Sequence, residues 1–322
     1  MTLAGVLPGR WELVRAVGAL SVVNPPAGDH IAASLGIPPL GTAEHTDLFV
    51  LSLPPYAGIH LGGEGKLGGE GADRVAGLWR ALSLDPPADA DHLGSLLLLY
   101  AELGEAADGS SSEPTRQRLG HSRAVLLWEH LWSWVPGYLD AATGQATPGP
   151  AGAVPAAVRA WADLTRRLLV REAMLTPGAT TLPLALRAAP SPLDAAATAP
   201  AVLDAVTAPV RTGFVLTYRD LDVAARRLGL GLRRGERRFA LQAMLDQDPA
   251  ATLAWLGDHA RRWARLHRRR PAVAHDPGIW WAERATASAE VLTRQSGLNR
   301  ALRGKNSPGS HAGLETPDAS PQ

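Results

Sequence analysis

"DPPADADHLGSLLLLYAEL", Asp85 to Leu103, is the stretch that decides the fold. Leu93, Leu96, Leu97, Tyr100 and Leu103 recur at intervals of three and four, the spacing that gathers apolar side chains on one face of an α-helix. Pro86-Pro87 ahead of them breaks any earlier helix and gives this one a definite start. Asp89 is then the expected N-cap, and an acid in the first turn complements the helix dipole. His92 is not explained in this way, because a cation near a helix N-terminus is disfavoured unless a carboxylate beside it offsets the charge. The stretch therefore predicts a long buried helix whose first turn carries residues with a further task.

Working outward, the same spacing returns. Leu127, Leu131, Trp134 and Tyr138 form one stripe, with Trp132 and Trp134 expected on its buried side, and Val158, Trp161, Leu164 and Leu168 form another. Alternating β-branched runs are almost absent, so the chain reads as all-α. From Thr176 the composition shifts to proline, alanine and threonine, and 176–210 reads as a linker holding one short helix. Helical signals resume over 211–296. Thr217 with Asp220 resembles a capping box, and Gly229 and Gly231 close the helix that follows. Asp248 is placed to cap a helix with Pro249 at its first position, and a last helix is expected over "IWWAERATASAEVLTRQ", Ile279–Gln295. The polar residues 297–322 read as a disordered tail. A tandem "LGGEGK"/"LGGEGA" at 61–72 is too short for an architectural repeat and reads as a glycine-rich loop before a helix holding Val75, Leu78 and Trp79.

The chain has 322 residues, 46% of them hydrophobic, and no cysteine, which removes thiolate nucleophiles, disulfides and cysteine-held metals together. "MTLAGVLPGRWELVRAVGAL" lacks the basic-then-apolar order of a secretory signal, and no apolar run approaches the roughly 18–20 residues of a membrane span, so a cytoplasmic location is expected. Gly65-Lys66 fails as a phosphate loop, since His60 and Leu67 stand where glycine and a hydroxyl residue are required. "GLGLRRG" has the wrong spacing for a dinucleotide fingerprint, and no HExxH occurs, so neither cofactor nor metal is expected. Asp91 and His92 are the best acid–base candidates, yet no nucleophile or oxyanion donor attaches to them, and no catalytic role is assigned.

Charge is uneven beneath a net of +1. Ten acids face three basic residues between His60 and Pro114, whereas fourteen basic residues face six acids between Arg211 and Pro271. The basic half admits a helical nucleic-acid-binding regulator, or arginines lining a solvated face or meeting the acidic half of the same protein.

Three segments taken in order resemble one family. "LFVLSLPPYAGIHLGGEGKLGG" carries Pro54-Pro55-aromatic and a glycine loop, "ADADHLGSLLLLYAEL" carries acid-x-Asp-His, and "LLWEHLWSWVPGYLDAA" carries His-Leu-x-x-Trp followed by aromatic-Leu-Asp. Their spacing resembles the TorD/DmsD/NarJ family of molybdoenzyme maturation chaperones, most clearly over residues 40–145 and more loosely over 10–175. The resemblance implies a helical-bundle chaperone domain over 1–175, and the additional C-terminal helical region over 211–296 lies beyond what it explains. It implies binding of an apo-molybdoenzyme, through its twin-arginine signal peptide or its catalytic subunit, until the cofactor is inserted. The family's peptide-binding positions fall on Asp91, His92 and Asp89, and on Pro54, Pro55 and Tyr56. Where the family carries Glu-Pro this chain has Asp89-Ala90, and Gly58 and His60 follow the prolines. A cationic, apolar peptide needs carboxylates beside an apolar groove, with Asp91 meeting an arginine and His92 a peptide carbonyl.

Overall fold

The computed structural model describes residues 9–146, 154–178, 180–194, 196, 199–233, 235–270 and 277–306. Among them the chain forms sixteen α-helices and no strand, as the scarcity of β-branched alternation predicts. The first half comprises α1 (Arg10–Ala19), α2 (Ala27–Ser34), α3 (Thr42–Thr46), α4 (Ala57–Leu61), α5 (Gly69–Ala81), α6 (Leu93–Gly109), α7 (Glu113–Val125), α8 (Val135–Ala142) and α9 (Ala156–Leu175). α3 and α7 run into π-helical turns, Asp47–Ser52 and Leu126–Leu131, closed by bonds from Leu53 N to Leu48 O (3.0 Å) and from Trp132 N to Leu127 O (2.7 Å).

α6 is the central element. Leu93, Leu96, Leu97, Leu99, Tyr100 and Leu103 are all buried, and only Leu98 of the leucine run faces outward. α1 crosses it closely because Gly104 has no side chain: a Cβ there would overlap the Trp11 indole. The Trp11 indole N–H donates to Asp108 (2.6 Å), and Arg15 pairs with Glu105. α9 closes this side of the bundle. Trp161 donates to the Val17 carbonyl (3.0 Å), while buried Glu172 accepts from Arg10 (2.9 and 2.5 Å) and from the Tyr100 hydroxyl (2.9 Å).

The second half comprises α10 (Leu184–Arg187), α11 (Ala199–Val206), α12 (Pro209–Thr212), α13 (Tyr218–Leu228), α14 (Arg237–Gln247), α15 (Pro249–Arg269) and α16 (Gly278–Asn306). Its local signals read correctly. Thr217 accepts from Asp220 N (3.1 Å) while Asp220 accepts from Thr217 N (2.7 Å), Gly229 takes the left-handed φ of 68°, and Asp248 accepts from Ala251 N (3.1 Å). α15 and α16 pair antiparallel, with Ser296 bonded to the Ala250 carbonyl (2.7 Å) and Arg268 to Thr286 (3.1 Å).

Two expectations change. The segment 176–210 holds two helices and the start of a third, not one, and Leu186, Leu193, Val202, Leu203 and Val206 are buried in the same apolar core as α6. Its leucines and valines pack it against the bundle. The last helix continues through Asn306 rather than ending near 297, and residues 307–322 of the expected tail lie outside the described residues.

The halves meet through polar locks laid over apolar packing. Asp140, from the aromatic-Leu-Asp stretch, accepts from Arg270 (2.7 and 3.1 Å) and Arg166 (2.7 Å), Arg262 donates to the Ala146 carbonyl (2.7 Å), and Trp281 to the Ser133 carbonyl (2.9 Å). Many arginines of the basic half are engaged within the protein. Arg211 reaches the Gly63 carbonyl, Arg237 that of Leu216, Arg238 pairs with Asp204, Arg226 with Asp222, and Arg261 with Asp258. Among the described residues no helix is long and apolar enough to cross a membrane.

Candidate functional site

The acid-x-Asp-His stretch and the Pro-Pro-aromatic stretch are brought together. Ala57 N donates to the Asp91 carbonyl (3.0 Å) and Leu93 N to the Pro55 carbonyl (2.8 Å), an isolated antiparallel bridge pairing Tyr56 with His92. The Asp91 carboxylate accepts from Gly58 N (2.8 Å), the Tyr56 hydroxyl donates to Asp89 (3.1 Å), and the Tyr56 ring stands edge-on to His92 at 4.8 Å.

The roles at the helix start differ from those expected. His92, not Asp89, is the N-cap of α6: its Nδ1 accepts from Gly94 N at 3.0 Å. Burial pushes the imidazole down to about 4, against the smaller opposing effect of Asp89, so at neutral pH it is uncharged and able to accept. The unfavourable cation at a helix N-terminus therefore does not arise. Asp91 and His92 are only 5% and 7% exposed, and Pro55 is buried with them. One Asp91 oxygen accepts from Gly58 N and the His92 Nδ1 from Gly94 N, so each side chain carries a structural task besides the peptide contact expected of it. Burial raises the Asp91 carboxyl, and the Gly58 amide opposes that rise. Asp89 is exposed, and Pro54 and Tyr56 are half-buried.

Pro54 opens onto a broad groove of about 1110 Å³. One wall is the Asp47–Ser52 turn with Pro54, Ile59 and the glycine loop at 64–67, and the other is Thr207, Tyr218, Asp222 and residues 235–238. Leu51 and Leu67, 71% and 62% exposed, give it an apolar lip. Asp47, Glu64, Asp222 and Glu236 supply carboxylates, beside Lys66, Arg237 and Arg238. The sequence signals for this lip were Leu51 just before Pro54-Pro55 and a lone leucine inside a glycine loop, neither of which was singled out.

The glycine loop has a structural reason that its sequence does not reveal. Gly65 has φ 64°, and a Cβ on it would stand 2.8 Å from Ala208 Cα and closer still to the Thr207 carbonyl. Arg211 fastens the neighbouring Gly63 carbonyl (2.8 Å). Gly65→Ala is expected to cost about 2 kcal/mol, combining left-handed strain with backbone overlap, measured by urea unfolding. A loss within about 0.5 kcal/mol would show that the loop does not rest on 207–208.

Among the described residues no group of three or more His, Cys, Asp or Glu is set to hold a metal. Trp132 and Trp134 are buried, the latter donating to the His130 carbonyl at 2.7 Å, which makes them packing residues.

Comparison with known proteins agrees with the three stretches. The family model described as nitrate reductase delta subunit matches residues 42–140, from the start of α3 to the Asp140 lock. No curated protein matches the chain. Over residues 42–140 the chain is thus similar to the nitrate reductase delta subunit family, a NarJ/TorD-like family of molybdoenzyme maturation chaperones.

Proposed function

We propose that the protein is a cytoplasmic chaperone that binds an apo-molybdoenzyme, by its twin-arginine signal peptide or its catalytic subunit, and assists cofactor insertion before export or assembly. The observation that carries this reading is the open groove beside Pro54, with an exposed apolar lip and carboxylates on both walls. A segment with cations next to an apolar run finds both of its needs there, and no bond need be made or broken. Asp89 and Tyr56 add an accessible acid–hydroxyl pair on the same Pro-Pro-aromatic segment. Asp91, His92 and Pro55 act through this segment by fixing its path, so they are positioning residues.

Two measurements test the proposal. Affinity capture with the full chain from a native lysate is expected to enrich the catalytic subunit of a molybdopterin oxidoreductase, and enrichment of nucleic acid in its place would favour a regulator. Calorimetry with that subunit's leader peptide is expected to show Leu51→Ser and Asp89→Lys each weakening binding by about five- to tenfold, in proportion to one lost apolar contact or one reversed charge. Wild-type affinity in both variants would remove the groove and its neighbouring edge from the binding surface.

A further inference from the structure

The outer face of α15 carries charge that the fold does not use. We infer that this face, with the end of α13 beside it, is a docking surface for an acidic helical segment of a partner protein. None of its arginines lines the groove beside Pro54, so the surface stands independently of the chaperone reading.

Helical spacing makes the face. Arg262, Arg265 and Arg269 fall within about 60° of one another around the helix axis, over a rise of about 10 Å. Leu256, Trp263 and His267 point the other way and are buried. The arginines around this stripe are held: Arg226 pairs with Asp222, Arg261 with Asp258 and Arg270 with Asp140, and Arg268 donates to Thr286. Arg262 donates to the Ala146 carbonyl (2.7 Å) and lies over the Trp255 ring. Arg265, Arg269 and, at the end of α13, Arg227 are exposed, and among the described residues none of the three has a hydrogen-bond or ion-pair partner. Burial lowers the Arg262 guanidinium, Arg227 and Arg265 lower it further, and Asp258 and Asp220 oppose them. The three cations thus stand within electrostatic reach of one another and repel.

An incoming set of carboxylates relieves that repulsion, and the spacing selects its form. Guanidinium groups three, four and seven residues apart meet carboxylates at the same intervals on a second helix. Bases would find no ring to stack on, because Trp255 and Trp263 are 5% and 1% exposed. α15 lies along α16, tied to it at Ser296 and Arg268, and does not project as a recognition helix would. It exposes no large hydrophobic side chain to enter a bilayer.

The test uses the full chain and two labelled alanine-rich helical peptides, followed by fluorescence anisotropy at low salt. One carries glutamates three, four and seven residues apart, and the other carries glutamines at the same positions. Wild type is expected to prefer the glutamate peptide by about tenfold or more, and added salt should erode that preference. Arg265→Glu with Arg269→Glu should bring the preference to near unity. Arg294→Glu with Arg300→Glu, also exposed but on α16, should leave it within about twofold. Arg227→Glu alone serves as the second variant, with an expected loss of about threefold for the glutamate peptide. A wild type indifferent to the exchange of glutamate for glutamine, or a preference retained in the α15 variant, would overturn the surface. So would an equal loss in the α16 variant, which would reduce the effect to net charge. A mixed-sequence DNA duplex or phosphatidylserine vesicles bound more tightly than the glutamate peptide, and lost in the α15 variant, would overturn the acidic helix as occupant.

Discussion

Replacing Asp140 by alanine is expected to destabilise the protein by about 3–5 kcal/mol, the largest effect of any single substitution proposed for it. Asp140 is 7% exposed on α8 and accepts from Arg166 of α9 and from Arg270 after α15. Arg270 is itself nearly buried, with its side chain 12% exposed. Removal of the carboxylate leaves the nearly buried Arg270 guanidinium without its counter-charge, while Arg166, about a third exposed, keeps Asp163 at 3.3 Å. Arg270→Ala should cost less, because Arg166 still neutralises Asp140 and only one ion pair is lost. The double variant should cost about 1–2 kcal/mol less than the sum of the singles, since the two changes remove one shared interaction. Urea midpoints of the four proteins measure this cycle. Asp140→Ala within about 0.5 kcal/mol of wild type would mean that the seam is held by apolar packing alone. The same substitution bears on function, because Arg270 belongs to the half that builds the groove's second wall. Loosening the seam should weaken peptide binding without touching any groove residue.

What the sequence disclosed follows from how local each signal is. The leucine stripe from Leu93 to Leu103, the Thr217–Asp220 box, the Gly229 stop and the Asp248 cap each depend on residues within one or two turns, and each stands where its spacing put it. The α6 cap was misassigned because capping preferences weigh side chains by their charge in water. His92 caps as a neutral acceptor, a state created by burial under Tyr56 and the Pro-Pro segment, which lies more than thirty residues earlier.

The resemblance led to the Asp91–His92 pair but not to its structural bonds. Those appear only in the fold, where Gly58 N and Gly94 N meet the two side chains. The groove was out of reach for a similar reason. Its walls come from residues 47–67 and from Thr207, Tyr218, Asp222 and residues 235–238, joined by a glycine loop whose fit against Thr207 and Ala208 leaves no periodic trace. The basic stretches were plain as composition, whereas their partners, a carbonyl at Gly63 or a carboxylate at Asp140, belong to the other half of the chain.

Acidification from pH 7 to pH 5 is expected to remove about 6 kcal/mol of stability, and histidines set this sensitivity. His60 is buried against Trp134 with ring centroids 4.9 Å apart, and burial, helped by Arg237, pushes it down to about 3. Burial likewise takes His92 to about 4, and burial with Arg74 takes His130 to about 4. In the unfolded chain each returns to its ordinary 6.5 and takes up a proton there, while the folded protein does not. The stability these groups contribute is therefore present above pH 6.5 and is lost as pH falls toward 4, at about 1.4 kcal/mol per pH unit for each histidine. His45, His259 and His267 are shifted in the same direction by burial and steepen the loss. Asp91 opposes it: its raised carboxyl makes the folded state bind a proton more readily, but one such group stands against six histidines. His92→Asn isolates one contribution, because the amide oxygen can still accept from Gly94 N while the titrating ring is gone. That variant should keep most of its stability at pH 7 and lose about one proton's worth of slope between pH 6 and 5. A urea midpoint that stays constant from pH 7 to pH 5 would mean that these imidazoles take up protons in the folded protein as readily as in the unfolded chain, so that burial does not hold them neutral.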